Sequence, residues 1–233
     1  RAEKGLVLAR SLYRFWYTRG HYETARAWLD RLLRAPGAQA LTPARARAQF
    51  AAAGIAIYQG RYPEARELYT QAVAACRELG MTSQMAAALL GLGIVNANEG
   101  RYDEARRSGR ESLELYREAR ETHGMQRVLY SLGEVALWQG NWPEARGLFE
   151  ESIAIRTSGE PSALTLSRVA LVAVREGRPD LAVAPLDQAL RLSRQQKAMN
   201  SGVAALDVTD ELAARTGHTE HARSEERRVG KEW

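Results

Sequence analysis

The feature that most constrains this chain is a glycine that returns at an almost fixed interval, each time with an alanine five residues behind it. Gly20, Gly60, Gly100, Gly140, Gly177 and Gly217 are separated by 40, 40, 40, 37 and 40 residues, and Ala25, Ala65, Ala105, Ala145, Ala182 and Ala222 keep the same offset. A period of this size marks an array of small supersecondary units, each of which buries its apolar face only by stacking on its neighbours. Such a register predicts one elongated repeat domain over residues 1–222, with five units and a truncated sixth.

Within a unit the periodicity is helical. Ala86, Leu89, Leu90, Ile94 and Ala97 fall at spacings of three and four, the stripe of a buried helix face. A partner helix is expected from about Asp103, where Glu104 suits the positive end of the helix dipole and Leu113, Leu115 and Tyr116 continue an apolar side. Pro63, Pro143 and Pro179 follow the repeat glycine by two or three residues, at a first turn where a missing N–H costs nothing. The glycine itself ends the first helix in the left-handed conformation that a Cβ disfavours. The alanine lets the second helix approach the first, and Tyr22, Tyr62, Tyr102 and Trp142 are expected to wedge between paired helices as core. The fold class is therefore all-α, an α-solenoid of antiparallel helix pairs.

These residues resemble the tetratricopeptide repeat. In the unit Leu129–Arg156, Leu129, Leu132, Gly133, Gly140, Trp142, Ala145 and Phe149 stand at its signature spacing, and Leu89, Leu92, Gly93, Gly100, Tyr102 and Ala105 match in the unit before. Ala53 and Ala170 replace the first-helix glycine in two other units, and Tyr13 does so in the first. A period near 40 resembles the longer-helix variants of bacterial signalling regulators. The opening segment Leu12–Leu33 is similar to the start of the repeat region that follows the ATPase module in large LuxR-type transcriptional regulators. No G-x-x-x-x-G-K-[ST] phosphate loop occurs in this chain, so ATP chemistry would belong to other sequence.

The resemblance implies a right-handed superhelix whose first helices line a concave wall. Transferred by position, the wall would carry Arg10, Arg14 and Tyr17, then Arg47, Phe50 and Tyr58, then Leu90, Ile94 and Asn98, then Arg127, Tyr130, Glu134 and Trp138, and finally Ser167 and Arg175. Arginine and aromatic side chains are the types that dominate binding hot spots. Such a wall suits a protein or peptide segment with acidic and apolar groups, held by charge-assisted hydrogen bonds and stacking. A small-molecule effector is a second class of partner. The expected role is a non-catalytic scaffold in the sensory region of a multidomain bacterial transcriptional regulator, and the alternative is a stand-alone adaptor.

Other chemistries find little footing. The net charge of +5 comes from 33 basic and 28 acidic residues interspersed along the chain; only Lys4, Lys197 and Lys231 among the basic ones are lysines. Arginine enrichment of this kind follows GC-rich codon usage, no basic stripe with interleaved aromatics stands out, and no direct nucleic-acid contact is expected. No apolar run approaches the roughly 20 residues of a membrane span, so a cytoplasmic location is expected. Cys76 is the single cysteine and reads as a small buried apolar residue. His21, His123, His218 and His221 are the only histidines, and the His218/His221 spacing lacks supporting ligands for a metal. Glu64, Glu104 and Glu144 recur at one repeat position as helix-start residues, with no acid/base pairing, and no cofactor is expected. Residues 223–232, RSEERRVGKE, back-translate to a sequence resembling a common short-read sequencing adapter, so 223–233 is expected to be a non-native tail. With Arg1 in place of a starting methionine, the chain reads as a fragment of a larger protein.

Overall fold

A computed structural model describes residues 2–155, 161–196 and 198–216. The last repeat glycine and its alanine, His218, His221 and the 223–233 tail lie outside these residues, as does Lys197.

Among the described residues the chain forms eleven α-helices: α1 (Ala2–Arg19), α2 (Tyr22–Arg34), α3 (Pro43–Tyr58), α4 (Tyr62–Glu78), α5 (Thr82–Asn98), α6 (Tyr102–Glu118), α7 (Thr122–Trp138), α8 (Trp142–Ala154), α9 (Ala163–Arg175), α10 (Asp180–Gln196) and α11 (Met199–Thr216). A short 3-10 turn, Pro36–Ala38, bridges α2 and α3. The chain folds as an all-α solenoid of helix pairs and divides into two units at a boundary within α7, one running up to Ser131 and the other from Leu132 onward.

The repeat register explains the turns. Gly20, Gly60, Gly100, Gly140 and Gly177 hold φ between 69° and 75°, each just past the end of a first helix. The returning helices then start at Tyr22, Tyr62, Tyr102, Trp142 and Asp180, with Pro63 and Pro143 in their opening turns. Ala25, Ala65, Ala105, Ala145 and Ala182 are each at most 2% exposed. A side chain no larger than a methyl permits this contact, because a larger residue would push the two helices of a pair apart.

Two further turns share the same geometry without sharing a residue. After α4, Gly80 lies at φ 65°, and after α6, Arg120 lies at φ 54°. In both, the left-handed residue donates to the carbonyl three before it (Gly80 N to Arg77 O, 3.3 Å; Arg120 N to Arg117 O, 3.1 Å). The next amide donates five back (Met81 N to Cys76 O, 2.8 Å; Glu121 N to Tyr116 O, 2.9 Å). This is the Schellman closure, which satisfies carbonyls that the helix end leaves orphaned.

Elsewhere the caps are side chains. Thr42 Oγ1 accepts from Arg45 N at 3.3 Å before α3, and Asn141 Oδ1 accepts from Glu144 N at 3.4 Å before α8.

In the first unit, α1 packs on α2 and α3, α3 on α4, α4 on α5 and α5 on α6. Its core joins Leu6, Trp16, Leu29 and Ile55 to Tyr69, Leu89 and Val95 through runs of alanine on α3 and α5. In the second unit, α9 and α10 pair around Leu166, Ala170, Val174, Leu186 and Leu190, and α11 closes over both with Ala205 and Val208. Pro185 lies within α10, where it removes one ladder hydrogen bond.

Candidate ligand-binding groove

The residue faces follow from helix geometry. Positions two, six and thirteen before each repeat glycine fall within about 40° of one another on a helix, whereas the position ten before it is turned about 80° from the first of them. Tyr58, Asn98, Trp138 and Arg175, two before their glycines, are all exposed. The position ten before behaves differently. Leu90 is 2% exposed and Ser167 is fully enclosed, its hydroxyl donating to the Ala163 carbonyl at 2.9 Å. The structure therefore corrects both: Leu90 and Ser167 face the core and do not line an open wall. Phe50 and Tyr130 share the position and are half-buried, while Arg10, on the outermost helix α1, is exposed.

In the first unit, four of the expected wall residues converge. Arg10, Arg14, Arg47 and Phe50 border a cavity of about 500 Å³ together with Tyr13, Ser83, Gln84, Cys76, Tyr116 and Glu121. None of Arg10, Arg14 or Arg47 has an ion-pair partner among the described residues. Many other arginines do, among them Arg61 with Glu64 at 2.6 Å, Arg77 with Glu111 at 2.8 Å, and Arg146 with Glu176 at 2.8 Å. The buried Nε of Arg47 has no acceptor among the described residues. Among the described residues Glu121 is the one carboxylate on the cavity, and it accepts a hydrogen bond from the Ser83 hydroxyl.

A run of tyrosines leads away from that cavity. Tyr13 stacks on Tyr17 (centroids 6.3 Å apart), Tyr17 lies against Tyr58 (4.8 Å) and Tyr58 stacks on Tyr22 (5.5 Å, planes within 8°). Tyr17 and Tyr58 keep 39% and 50% of their surface exposed, enough for one ring face to meet a ligand. Burial pushes the Tyr58 hydroxyl far above its ordinary range, helped by its hydrogen bond with Tyr17. Burial raises Tyr13, Tyr69 and Tyr116 as well, and the nearby Arg127 guanidinium opposes each shift. Arg127 thus sends its field across this same face. Its neighbours on the wall, Ile94 and Asn98, are half-buried and exposed, and Asn98 Nδ2 donates to the Ile94 carbonyl at 2.8 Å.

Tyr22, Tyr62, Tyr102 and Trp142 are each half-buried, so these aromatics pack with one side and leave an edge open. Cys76 is 3% exposed, as a small core residue should be, but it also forms part of the cavity wall. Burial raises its thiol pKa and Arg47 opposes that rise. Repeat counting could not find this placement, since Cys76 comes from a second helix and reaches the cavity from behind.

The second unit uses its wall residues internally. Glu134 pairs with Arg168 Nε at 2.8 Å, and burial raises its carboxyl pKa against the pull of that guanidinium. Arg175 holds Glu211 of α11 through two nitrogens, at 2.7 and 2.9 Å. Trp138 remains 48% exposed. Among the described residues no cluster of three or more His, Cys, Asp or Glu could hold a metal, and no helix is long and apolar enough to cross a membrane.

Helix pairs closed by a left-handed glycine and joined through a buried alanine define a tetratricopeptide-type scaffold. Family models described as tetratricopeptide repeat match residues 8–79, 44–118, 84–158 and 124–195, and the chain belongs to that family. No curated protein matches this chain. Solved structures share the fold at low identity. BtubC (BKLC) from P. vanneervenii is 18% identical, with 84% of this chain and 90% of that one covered and a TM-score of 0.67. A Rap protein complexed with competence and sporulation factor is 13% identical over 98% and 74% of the two chains, with a TM-score of 0.73. The Rap conjugation gene regulator of plasmid pLS20, in complex with the Phr* peptide, is 12% identical over 97% and 74%, with a TM-score of 0.66.

Proposed function

We propose that this chain is a non-catalytic binding scaffold whose first-helix wall captures a peptide or protein segment carrying acidic and apolar groups. The observation that carries the reading is the set of unpaired guanidinium groups, Arg10, Arg14 and Arg47, beside the exposed rings of Tyr17 and Tyr58. Arginines left without a carboxylate on a scaffold that pairs so many others are available to a ligand's carboxylates. The two Rap structures support a peptide ligand by analogy, since one of them holds the Phr* peptide on a similar fold. Ile94, Asn98, Arg127 and Tyr130 extend the proposed wall within the same unit; the exposed ring of Trp138 is a separate candidate contact in the second unit.

In this reading the array is the sensory region of a multidomain bacterial transcriptional regulator. The resemblance of Leu12–Leu33 to such proteins favours that setting over a stand-alone adaptor. A nucleotide-binding module encoded directly upstream would support it, and its absence there would favour the adaptor.

The binding claim is tested with an immobilised peptide library and calorimetric titration of the best sequences. Losing a charge-assisted hydrogen bond is worth about 1.5–3 kcal/mol, so Arg14→Ala should weaken binding roughly 10- to 100-fold. Equal affinity for peptides with every Asp and Glu changed to Asn and Gln would refute the electrostatic half of the reading.

A further inference from the structure

We propose that the cavity of the first unit is a binding site for a small organic anion with a flat apolar body, a ligand distinct from any peptide on the wall. The cavity is deeper than a groove between first helices. Its lining passes from Arg10, Arg14 and Arg47 on α1 and α3 to Cys76 on α4 and Tyr116 on α6, both on second helices. An extended peptide lies along a wall, whereas a space that reaches behind it takes a compact molecule. At about 500 Å³ it falls within the roughly 300–1,000 Å³ of small-molecule sites.

The chemistry of the lining sets the ligand class. Three guanidinium groups without carboxylate partners border the space, and the Arg47 Nε is buried with no acceptor. A buried donor left unsatisfied is costly, and a bound anion would supply the missing acceptor. Gln84, in the first turn of α5, adds an amide donor where the helix dipole is positive. Tyr13, Phe50 and Tyr116 provide ring surface for a planar body. Glu121, held by Ser83, sets one negative charge against three guanidinium groups, so the lining keeps a positive excess. Carboxylates and phosphates share this recognition chemistry, so both belong in the test.

Cys76 is the sole cysteine, is 3% exposed and lies on the cavity wall, so its alkylation requires the site to open and a bound ligand slows it. The whole chain is treated with iodoacetamide in the presence of indole-3-acetate or adenosine 5′-monophosphate, with indole-3-acetamide, adenosine and inorganic phosphate as controls. At ten times its dissociation constant, an effective anion should slow Cys76 alkylation about tenfold, while its neutral counterpart has no effect. The Arg14→Ala/Arg47→Ala variant should lose the protection, measured as the ratio of rates with and without ligand, because Arg47 also affects the thiol. If that variant loses helicity, Arg10→Ala/Arg14→Ala, which touches only exposed side chains, decides the matter. Protection by neutral compounds, protection by inorganic phosphate equal to that of the nucleotide, or protection by neither organic anion would overturn the proposal. Acidic-peptide capture that persists without such protection would leave the wall reading standing and remove this one.

Discussion

Arg120→Gly should stabilise the protein, and the size of the gain can be worked from the turn it occupies. Arg120 sits at φ 54° in a closure that Gly80 forms at φ 65° one unit earlier, with the same pair of backbone hydrogen bonds. Left-handed backbone costs a residue with a Cβ about 1–2 kcal/mol. Glycine gives back roughly 0.5–1 kcal/mol through the extra entropy of the unfolded chain. The Arg120 side chain is exposed and forms no ion pair among the described residues, so its removal forfeits little. The net expectation is a gain of about 0.5–1 kcal/mol, or about 1–4 °C in melting temperature for a chain of this length. Urea denaturation followed by circular dichroism measures it, as a higher midpoint at unchanged slope. A lower or unchanged midpoint would show that the turn is held by something other than backbone closure. The same turn presents Glu121 to the cavity, so occupancy of that site should be unaffected if the backbone geometry is retained.

Two further outcomes are expected. Gly91→Ala should destabilise by about 1–3 kcal/mol, because its new methyl would overlap the Tyr69 ring, which is buried and held edge-on by Phe50 at 5.5 Å; Gly147→Ala, with open space around its Cα, should instead gain about 0.5–1 kcal/mol, and equal shifts in the two melts would contradict the packing argument. Glu134 has a folded-state pKa raised above 4.5, so the folded state binds more protons and stability declines as pH rises from 4.5 through the raised value; Glu134→Gln should flatten that part of a stability-versus-pH curve, and an unchanged slope would mean that another group causes it.

The sequence was most informative where backbone necessity leaves a residue signature. A left-handed turn closed by Gly20 or Gly60, and a helix contact closed by Ala25 or Ala65, each admit very few residues, so counting glycines and alanines located five helix-pair turns. The turns between units were invisible to that method. Gly80 and Arg120 adopt one conformation with different residues, since exposed backbone strain of a kilocalorie or two is tolerated.

Wall residues were partly legible. Position-by-position transfer nominated Arg10, Arg14, Arg47 and Phe50, which border one cavity, but it also nominated Leu90 and Ser167, which the helix turns toward the core. The cavity itself could not be read from a repeat. It combines residues from different offsets of five helices and the residue before α7, and only their packing brings Cys76, Tyr116 and Glu121 together with the arginines.

The unpaired guanidinium groups have a consequence that begins before any contact is made. Elsewhere among the described residues many arginines are paired with carboxylates on the same or neighbouring helices, whereas Arg10, Arg14 and Arg47 have no such partner, so the face that carries them holds a local positive excess. An uncompensated field of that kind reaches about 8 Å into physiological salt and draws an oppositely charged molecule toward the correct side during its approach. Arrival is then governed by ionic strength, while departure is governed by the rings and hydrogen bonds that hold what has arrived. One surface would in this way set the speed of recognition and its duration through separate physical terms.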